Sequence, residues 1–266
     1  MNQSERRQYL IRELLGEDPR FAGICIPGNV DEQKQLLRAL MNVRMPKEIS
    51  REFLMVQDAY LTASAKEKGV VELSDLTPVQ PGIYLWKGDI TRLKVDAIVN
   101  AANSEMTGCY HPNHGCIDNC IHTYAGVQLR LKCAKIMEQQ GTLEPAGQAK
   151  ITPGYNLPAR YVIHTVGPIV NGRVTERDED LLASCYLSSL KLAREKGLRN
   201  IAFCCISTGV FHFPNDRAAK IAVQTVKEYR EKERYDIEVI FNVFKEIDED
   251  IYKRLLKTGS SAERRD

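Results

Sequence analysis

Apolar positions recur at helical spacing through roughly the first seventy residues and then give way to short, dense β-branched runs. In YLIRELLGED the apolar residues Leu10, Ile11, Leu14 and Leu15 fall on one helix face. DEQKQLLRALMNVR repeats the pattern with Leu36, Leu37, Leu40 and Val43, and Asp31 is the expected N-cap. Ser50 to Ala65 predicts a third helix, with Pro27 and Pro46 punctuating the gaps. No catalytic cluster falls in this part. It reads as a helical extension that covers one face of the rest of the chain.

The pattern changes near Leu76. IYLWKGDI and VDAIVN predict strands. A helix is expected from Asp118 to Gln140, and a strand from Tyr161 to Val166 within RYVIHTVGP. EDLLASCYLSSLKLAREKG predicts a helix closed by Gly197, a residue suited to the left-handed turn after a helix end. NIAFCCIS, DRAAKIAVQTVKEYREK, IEVIFNVF and DEDIYKRLLK continue the alternation as strand, helix, strand, helix. Strands alternating with helices of this length predict an α/β fold, a sheet with helices on both faces. The expected organisation is a helical N-terminal extension over 1–75, an α/β domain over 76–258 and a flexible tail over 259–266. No internal repeat or low-complexity segment interrupts it.

Composition adds limits. Of 266 residues, 43% are hydrophobic and 27% charged, an ordinary globular balance with ample apolar material for a core. The formal net charge of +2 argues against a broad nucleic-acid or membrane-binding surface. The start, MNQSERRQYLIRELLGED, lacks the apolar region of a secretory signal, and runs such as IAFCCI are far too short to span a bilayer. A cytoplasmic protein is expected, with its eight cysteines reduced. Cys25, Cys133 and Cys185 are scattered. The adjacent Cys204 and Cys205 read as buried small hydrophobes.

The remaining cysteines sit in GCYHPNHGCIDNCIH, Gly108 to His122, together with three of the five histidines. Cys109, His114 and Cys116 form C-x4-H-x-C, close enough for one loop to wrap one ion. Pro112, Asn113 and Gly115 supply the turns. Three protein ligands leave a fourth position open, the arrangement of catalytic metal sites. A structural site would take a fourth ligand, and His111, Cys120 or His122 could provide it. Cys120 and His122 are expected on different faces of a helix start, which favours Cys109, His114 and Cys116. No C-x-x-C pair supports a redox role. His164, inside an apolar strand, reads as a satisfied core histidine.

Ligands of open α/β sheets bind beyond the carboxyl ends of strands. Three loops are expected there: Gly88 to Thr91, the cysteine and histidine stretch, and Ser207 to Ala219. In the third, Ser207 and Thr208 offer hydroxyls, Gly209 lets a backbone approach closely, and the following helix offers its N-terminus to a phosphate.

The motifs WKGDIT, VDAIVNAANS, ITPGYNLPARYVIHTVGP and ISTGVFHFP, in this order, resemble the macrodomain family, the ADP-ribose-binding fold. They span about two-thirds of the chain, from Leu76 to Lys257. The resemblance implies a three-layer α/β/α macrodomain with a central mixed sheet of about six strands. Most hydrolytic members carry a glycine-rich stretch after NAANS. Here GCYHPNHGC replaces it, which resembles the zinc-dependent bacterial ADP-ribosyl hydrolase branch with its N-terminal helical extension. That branch implies one Zn2+ per chain on Cys109, His114 and Cys116, beside the distal ribose. Position by position, Asp89 matches the acceptor of the adenine amino group, and Ile90 lines that pocket. Asn103 matches the residue at the distal ribose, with Asn100 supporting its loop. Asp118 matches the aspartate assigned to water activation or substrate positioning. Ser207, Thr208, Gly209, Val210 and Phe211 match the diphosphate loop, with the Phe211 ring against the distal ribose. His212 stands where glycine is common.

The function so implied is zinc-dependent hydrolysis of mono-ADP-ribose from acidic side chains of a protein, Asp118 and Asn103 being the catalytic candidates. Zinc would lower the pKa of a bound water or polarise the ester carbonyl, and cleavage could fall at the acyl or the C1″ bond. The alternatives are a non-catalytic ADP-ribose reader, an ADP-ribose 1″-phosphate phosphatase, and a purely structural metal. The resemblance further implies a lipoyl-carrier protein of the glycine-cleavage type as substrate and pairing with a sirtuin-like ADP-ribosyltransferase. Neither nucleic acid nor membrane is an expected partner.

Overall fold

A computed structural model describes residues 1–258; the tail expected to be flexible, 259–266, lies outside the described residues. Three helices open the chain: α1 (Gln3–Gly16), α2 (Val30–Val43) and α3 (Arg51–Lys68). Asn2 and Glu5 form a capping box on α1, and the Ser50 side chain accepts from Phe53 N–H on α3. The N-cap of α2 is Asn29 rather than Asp31. Its Oδ1 takes the N–H groups of Asp31 and Glu32, which puts Asp31 inside the first turn, where its charge suits the helix dipole. Leu10, Ile11, Leu14, Leu37, Leu40, Met41, Phe53 and Leu61 bury their faces together as a small core of their own, and Val127 from the rest of the chain enters it.

The strands are β1 (Val71–Glu72), β2 (Pro78–Gln80), β3 (Ile83–Lys87), β4 (Leu93–Lys94), β5 (Ala97–Ala102), β6 (Ala149–Pro153), β7 (Tyr161–Val166), β8 (Asn200–Phe203) and β9 (Glu238–Val243). Seven of them form one mixed sheet in the order β2-β3-β9-β8-β5-β7-β6, and β1 pairs with β4 apart from it. The inner pairs are parallel and the edge strands β2 and β6 antiparallel. The sheet exceeds the expected strand number because PVQ and AKITP lack the long β-branched runs of the buried strands. Both are edge strands, where proline is tolerated.

The helices around the sheet are α4 (Ile117–Ala125), α5 (Val127–Gln140), α6 (Glu176–Glu195), α7 (Asn215–Glu233) and α8 (Glu246–Thr258). The single helix expected over 118–140 is two. Gly126 breaks it at φ +100°, and a Cβ there would come within 2.6 Å of the Gln57 and Gln128 side chains. The architecture is the three-layer α/β/α one, preceded by the helical region. No described helix is long and apolar enough to cross a membrane. Because β3, β5, β8 and β9 run parallel, the loops after them emerge at one edge of the sheet.

Candidate functional site

Those loops enclose a cleft of about 340 Å³. Asp89 and Ile90 line it, as do Ser207, Thr208, Gly209, Val210 and Phe211, and the cysteine and histidine stretch reaches it through Gly115, Cys116, Ile117 and Cys120, so all three expected loops meet there. Asp89 caps a short 3-10 turn: its Oδ1 accepts from Thr91 N at 3.0 Å and Thr91 Oγ1 at 2.6 Å, which leaves Oδ2 for a ligand donor. The 207–211 loop is held by Phe213 N donating to Ser207 O and His212 N to Gly209 O. Among the described residues, the N–H groups of Gly209, Val210 and Phe211 find no acceptor within the chain. Three successive free N–H groups make an anion-binding concavity. A Cβ at Gly209 would meet only open space, so no packing demand fixes glycine there. The tight glycine is Gly167, whose Cβ would lie 2.0 Å from Ser207 Oγ. His212 is exposed and lies outside the lining residues. The helix whose first turn faces the cleft is α4, through Cys116 and Ile117, and not α7 as the phosphate argument expected.

The cysteine and histidine loop brings Cys109, His114 and Cys116 together, their donor atoms all within 4.8 Å of one another. Cys109 Sγ and His114 Nδ1 stand 3.5 Å apart. Around a tetrahedral ion with bonds of about 2.3 Å to sulfur and about 2.1 Å to nitrogen, such donors stand about 3.6 Å apart, so the trio fits a zinc-sized ion. Cys116 is also the N-cap of α4, its Sγ accepting from Asn119 N at 3.4 Å. Burial pushes its thiol up to about 12, helped by the Cys109 and Asp118 charges, so only a cation would hold it as thiolate. No fourth such donor joins the trio among the described residues. His111 is exposed, with its ring edge-on to His114. Cys120 turns to Arg38 at 3.5 Å. His122 points inward to a buried group with Cys133 and His164.

The N-terminal helices do more than cover a face. Arg38 and Asn42, one turn apart on α2, grip the loop. Arg38 Nη2 donates to His114 O at 2.7 Å and Asn119 Oδ1 at 2.9 Å, and Asn42 Oδ1 accepts from Asn113 N at 2.9 Å. From α5, Arg130 donates through Nε to Thr107 O at 2.7 Å. Its Nη1 reaches the carbonyls of Met41, Asn42 and Arg44 at the end of α2. One guanidinium thus ties the last turn of α2 to the ligand loop. Sequence reading missed both arginines because their partners, mostly backbone carbonyls, lie far along the chain.

Asp118 is buried in the first turn of α4 and accepts from Asn100 Nδ2 at 2.8 Å. Burial pushes its carboxyl up to about 6, against the Asn100 hydrogen bond and the Arg130 charge. Asn100 is wholly buried behind it, and its second amide hydrogen faces His164 Nδ1 at 3.1 Å. Asn100 therefore supports Asp118 rather than the Asn103 loop, and does not line the cleft. An N–H aimed at Nδ1 places the His164 proton on Nε2, which meets Thr152 Oγ1 at 2.9 Å. His164 is the satisfied core histidine its strand implied. Asn103 shapes its own loop: Oδ1 accepts from Glu105 N and Met106 N, and Nδ2 donates to Gly108 O at 3.2 Å. Neither Asn103 nor Asp118 lines the cleft, although Cys116 and Ile117 beside Asp118 do.

Among the lining residues that sequence reading missed are Phe244, Lys245, Tyr124 and Asp248. Phe244 follows β9 and is 77% exposed, a flat apolar face at the rim with Gly88 to Ile90. In IEVIFNVF it looks like one more core residue. Only the strand's end at Val243 turns it outward. Cys204 and Cys205 are likewise in the cleft wall, Cys205 only half-buried.

A family model described as Macro domain matches residues 99–222. A protein-ADP-ribose hydrolase of Treponema medium is 57% identical over 260 residues, covering 96% of this chain and 100% of that protein. A protein-ADP-ribose hydrolase of Staphylococcus aureus (strain MRSA252) is 51% identical over 250 residues, covering 93% and 94%. Among solved structures, a Trypanosoma brucei macrodomain in complex with ADP-ribose superposes with a TM-score of 0.64 at 32% identity, covering 82% of this chain and 94% of that one. The Oceanobacillus iheyensis macrodomain with ADP gives 0.63 at 36%, covering 70% and 96%.

Proposed function

This chain belongs to the macrodomain family, and on that premise we propose that it hydrolyses mono-ADP-ribose from acidic side chains of a protein, with one zinc ion on Cys109, His114 and Cys116. The observation that carries the reading is Cys116, which belongs both to a three-donor metal trio and to the wall of the cleft. The relatives' names and the ADP-ribose-bound neighbour support the substrate class.

In this reading Asp89 Oδ2 accepts from the adenine amino group, with Ile90 beside it and the Phe244 ring against the purine. The free N–H groups of Gly209 to Phe211 hold the diphosphate, and the Phe211 ring borders the distal ribose. These remote contacts fix the scissile bond at the far end. Water adds to the acyl carbon, the ester C–O bond breaks, and the carboxylate and the ribose hydroxyl are released. Asp118 is the base in this reading: it stands behind Cys116 and Ile117 of the cleft wall, past which the water must reach it, and a carboxyl poised near pH 6 suits a base at neutral pH. Asn103 holds the shape of the 103–108 turn that leads into Cys109. A zinc ion at the trio would supply Lewis-acid polarisation or an acidified water. The favoured substrate is a lipoyl-carrier protein modified by a sirtuin-like transferase, a choice that rests on the family resemblance of the metal loop.

The test couples metal to turnover. Wild type and Cys116→Ala are purified, their zinc is quantified, and both are given a carrier protein mono-ADP-ribosylated on a glutamate. Wild type should hold zinc and release ADP-ribose, while the folded variant loses both and still binds ADP-ribose. Wild-type turnover by the zinc-free variant would leave the metal a structural role.

A further inference from the structure

Beside the cleft lies a second concavity, a groove of about 690 Å³ between the N-terminal helices and the metal loop. Lys34 and Arg38 of α2 line it, with Lys68 at the end of α3, Asn113 of the loop, and Thr123 and Tyr124 of α4. Tyr124 also lines the cleft, so the two share a wall. The groove's charged lining residues are Lys34, Arg38 and Lys68 against Glu67 alone. In a chain of 37 basic and 35 acidic residues, that is a local concentration of positive charge.

These cations are poorly neutralised. The acceptors of Arg38 are a carbonyl, a carboxamide and a thiol, none of them a carboxylate. Lys68 Nζ sits 3.2 Å above the Tyr124 ring, which leaves its remaining hydrogens to other acceptors. Lys34 has Asp31 at 3.6 Å, but both side chains are mainly in solvent, where such a pair is weak. Burial raises the Cys120 thiol between the groove and the cleft, with the Arg38 charge acting against that and the Asp89 charge adding to it.

We propose that this groove docks an acidic stretch of the ADP-ribosylated protein, next to the modified side chain; the inference rests on the hydrolase reading above. Cys116 of the trio is in the cleft wall and Asn113, next to His114 of the same trio, lines the groove, so a modified carboxyl at the trio has its polypeptide within a few residues of the groove. A chain leaving there meets the three cations. Carboxylates in that chain gain from them, and lysines are repelled, which gives selectivity through binding rather than through the chemical step. The N-terminal helical region is then a substrate-reading surface.

Three synthetic peptides test this, each carrying ADP-ribose on a single glutamate flanked by Asp and Glu, by Ser and Gly, or by Lys. Turnover and peptide Kd are measured with wild type and with the double variant Lys34→Glu/Lys68→Glu, and free ADP-ribose affinity serves as the control. Wild type should favour acidic over basic flanks by about tenfold or more, through KM rather than kcat, and lose most of that in about 0.5 M salt. The double variant should level or invert the order while binding free ADP-ribose as wild type does. The same order in both enzymes, or no preference in wild type, overturns the proposal. Displacement of the acidic peptide by poly(U) at equal affinity also overturns it, because the groove would then be an indiscriminate anion site. If wild type binds the peptides without cleaving them, the hydrolase reading falls, and the ratio of Kd values still decides the groove.

Discussion

Arg38 Nη2 donates to the backbone carbonyl of His114 at 2.7 Å, joining a helix residue to a metal-loop residue 76 positions later. The neighbouring bonds from Asn42 and Arg130 fix the same loop at Asn113 and Thr107. At the proposed zinc site, Arg38→Met should therefore weaken zinc binding by about 10–100-fold, the usual cost of losing a partner that orients a metal ligand. Competition with a chromophoric chelator measures it, and Arg38→Lys, which keeps the charge and loses the fork, should fall between. Unchanged affinity in a folded Arg38→Met protein would show that the loop holds its shape without α2.

Asp118→Asn keeps the volume and an oxygen for Asn100 Nδ2 but removes the proposed base. Turnover should drop by about 10²–10⁴-fold while ADP-ribose affinity holds. In wild type the rate should rise with pH as Asp118 ionises near 6. The Asn100 bond favours the ionised form, so Asn100→Ala should shift that acid limb to higher pH. An unmoved limb would assign the titration to another group.

Phe244→Ala should weaken ADP-ribose binding by about 1–3 kcal/mol, the range of base–aromatic stacking. Calorimetry reads it directly. Thermal stability should not change, because the ring is 77% exposed. Ribose 5-phosphate, which has no base, should bind both proteins alike; an equal loss for that ligand would reject the stacking role.

Two glycines should respond in opposite ways. Gly167→Ala drives a methyl into Ser207 Oγ at 2.0 Å and Ile206 Cγ2 at 2.9 Å. It should cost about 1–3 kcal/mol of stability by overpacking and displace the 207–211 loop, weakening ADP-ribose binding. Gly209→Ala meets nothing within 4 Å and should leave stability to denaturant unchanged. Equal denaturation curves for both variants would refute the packing argument.

Buried histidines set an acid limit. Burial lowers His164 to about 3 and His122 well below its ordinary value, the latter also by the His164 and Arg130 charges. The unfolded imidazoles take protons near pH 6.5 and the folded ones do not, so the stability is complete above about 6.5 and is lost as pH falls toward the folded values. Each histidine should contribute a slope of about 1.4 kcal/mol per pH unit in that window. Urea unfolding across it measures a sum in which Asp118, raised to about 6, runs the other way below that pH, and His164→Asn should lower the slope by about 1.4 kcal/mol per pH unit. A variant with the wild-type slope would place the effect elsewhere.

The regular elements were legible where burial imposes a period. The α2 face at Leu37, Leu40 and Met41 and the continuous apolar run of β9 both announce themselves along the chain. The edge strands β2 and β6 did not, because an exposed edge imposes little pattern. The break at Gly126 was hidden too, since what forbids a side chain there is Gln57, far away in sequence. The metal trio was readable for a local reason: Cys109, His114 and Cys116 lie within one loop, so sequence spacing alone sets how far apart their donors can be.

Sequence by itself, then, determined the alternation of elements, the family motifs and the trio of donors, all of which depend on neighbours a few positions apart. Only the tertiary structure decided that Asn100 stands behind Asp118, that Phe244 faces out, and that α2 holds the metal loop and borders a cationic groove. The first is a side-chain bond across 18 positions and the second the end of a strand, while the hold of α2 depends on hydrogen bonds to backbone groups and the groove on charges brought together across long stretches of chain. A carbonyl belongs to every residue, so such a bond leaves no mark in the order of side chains.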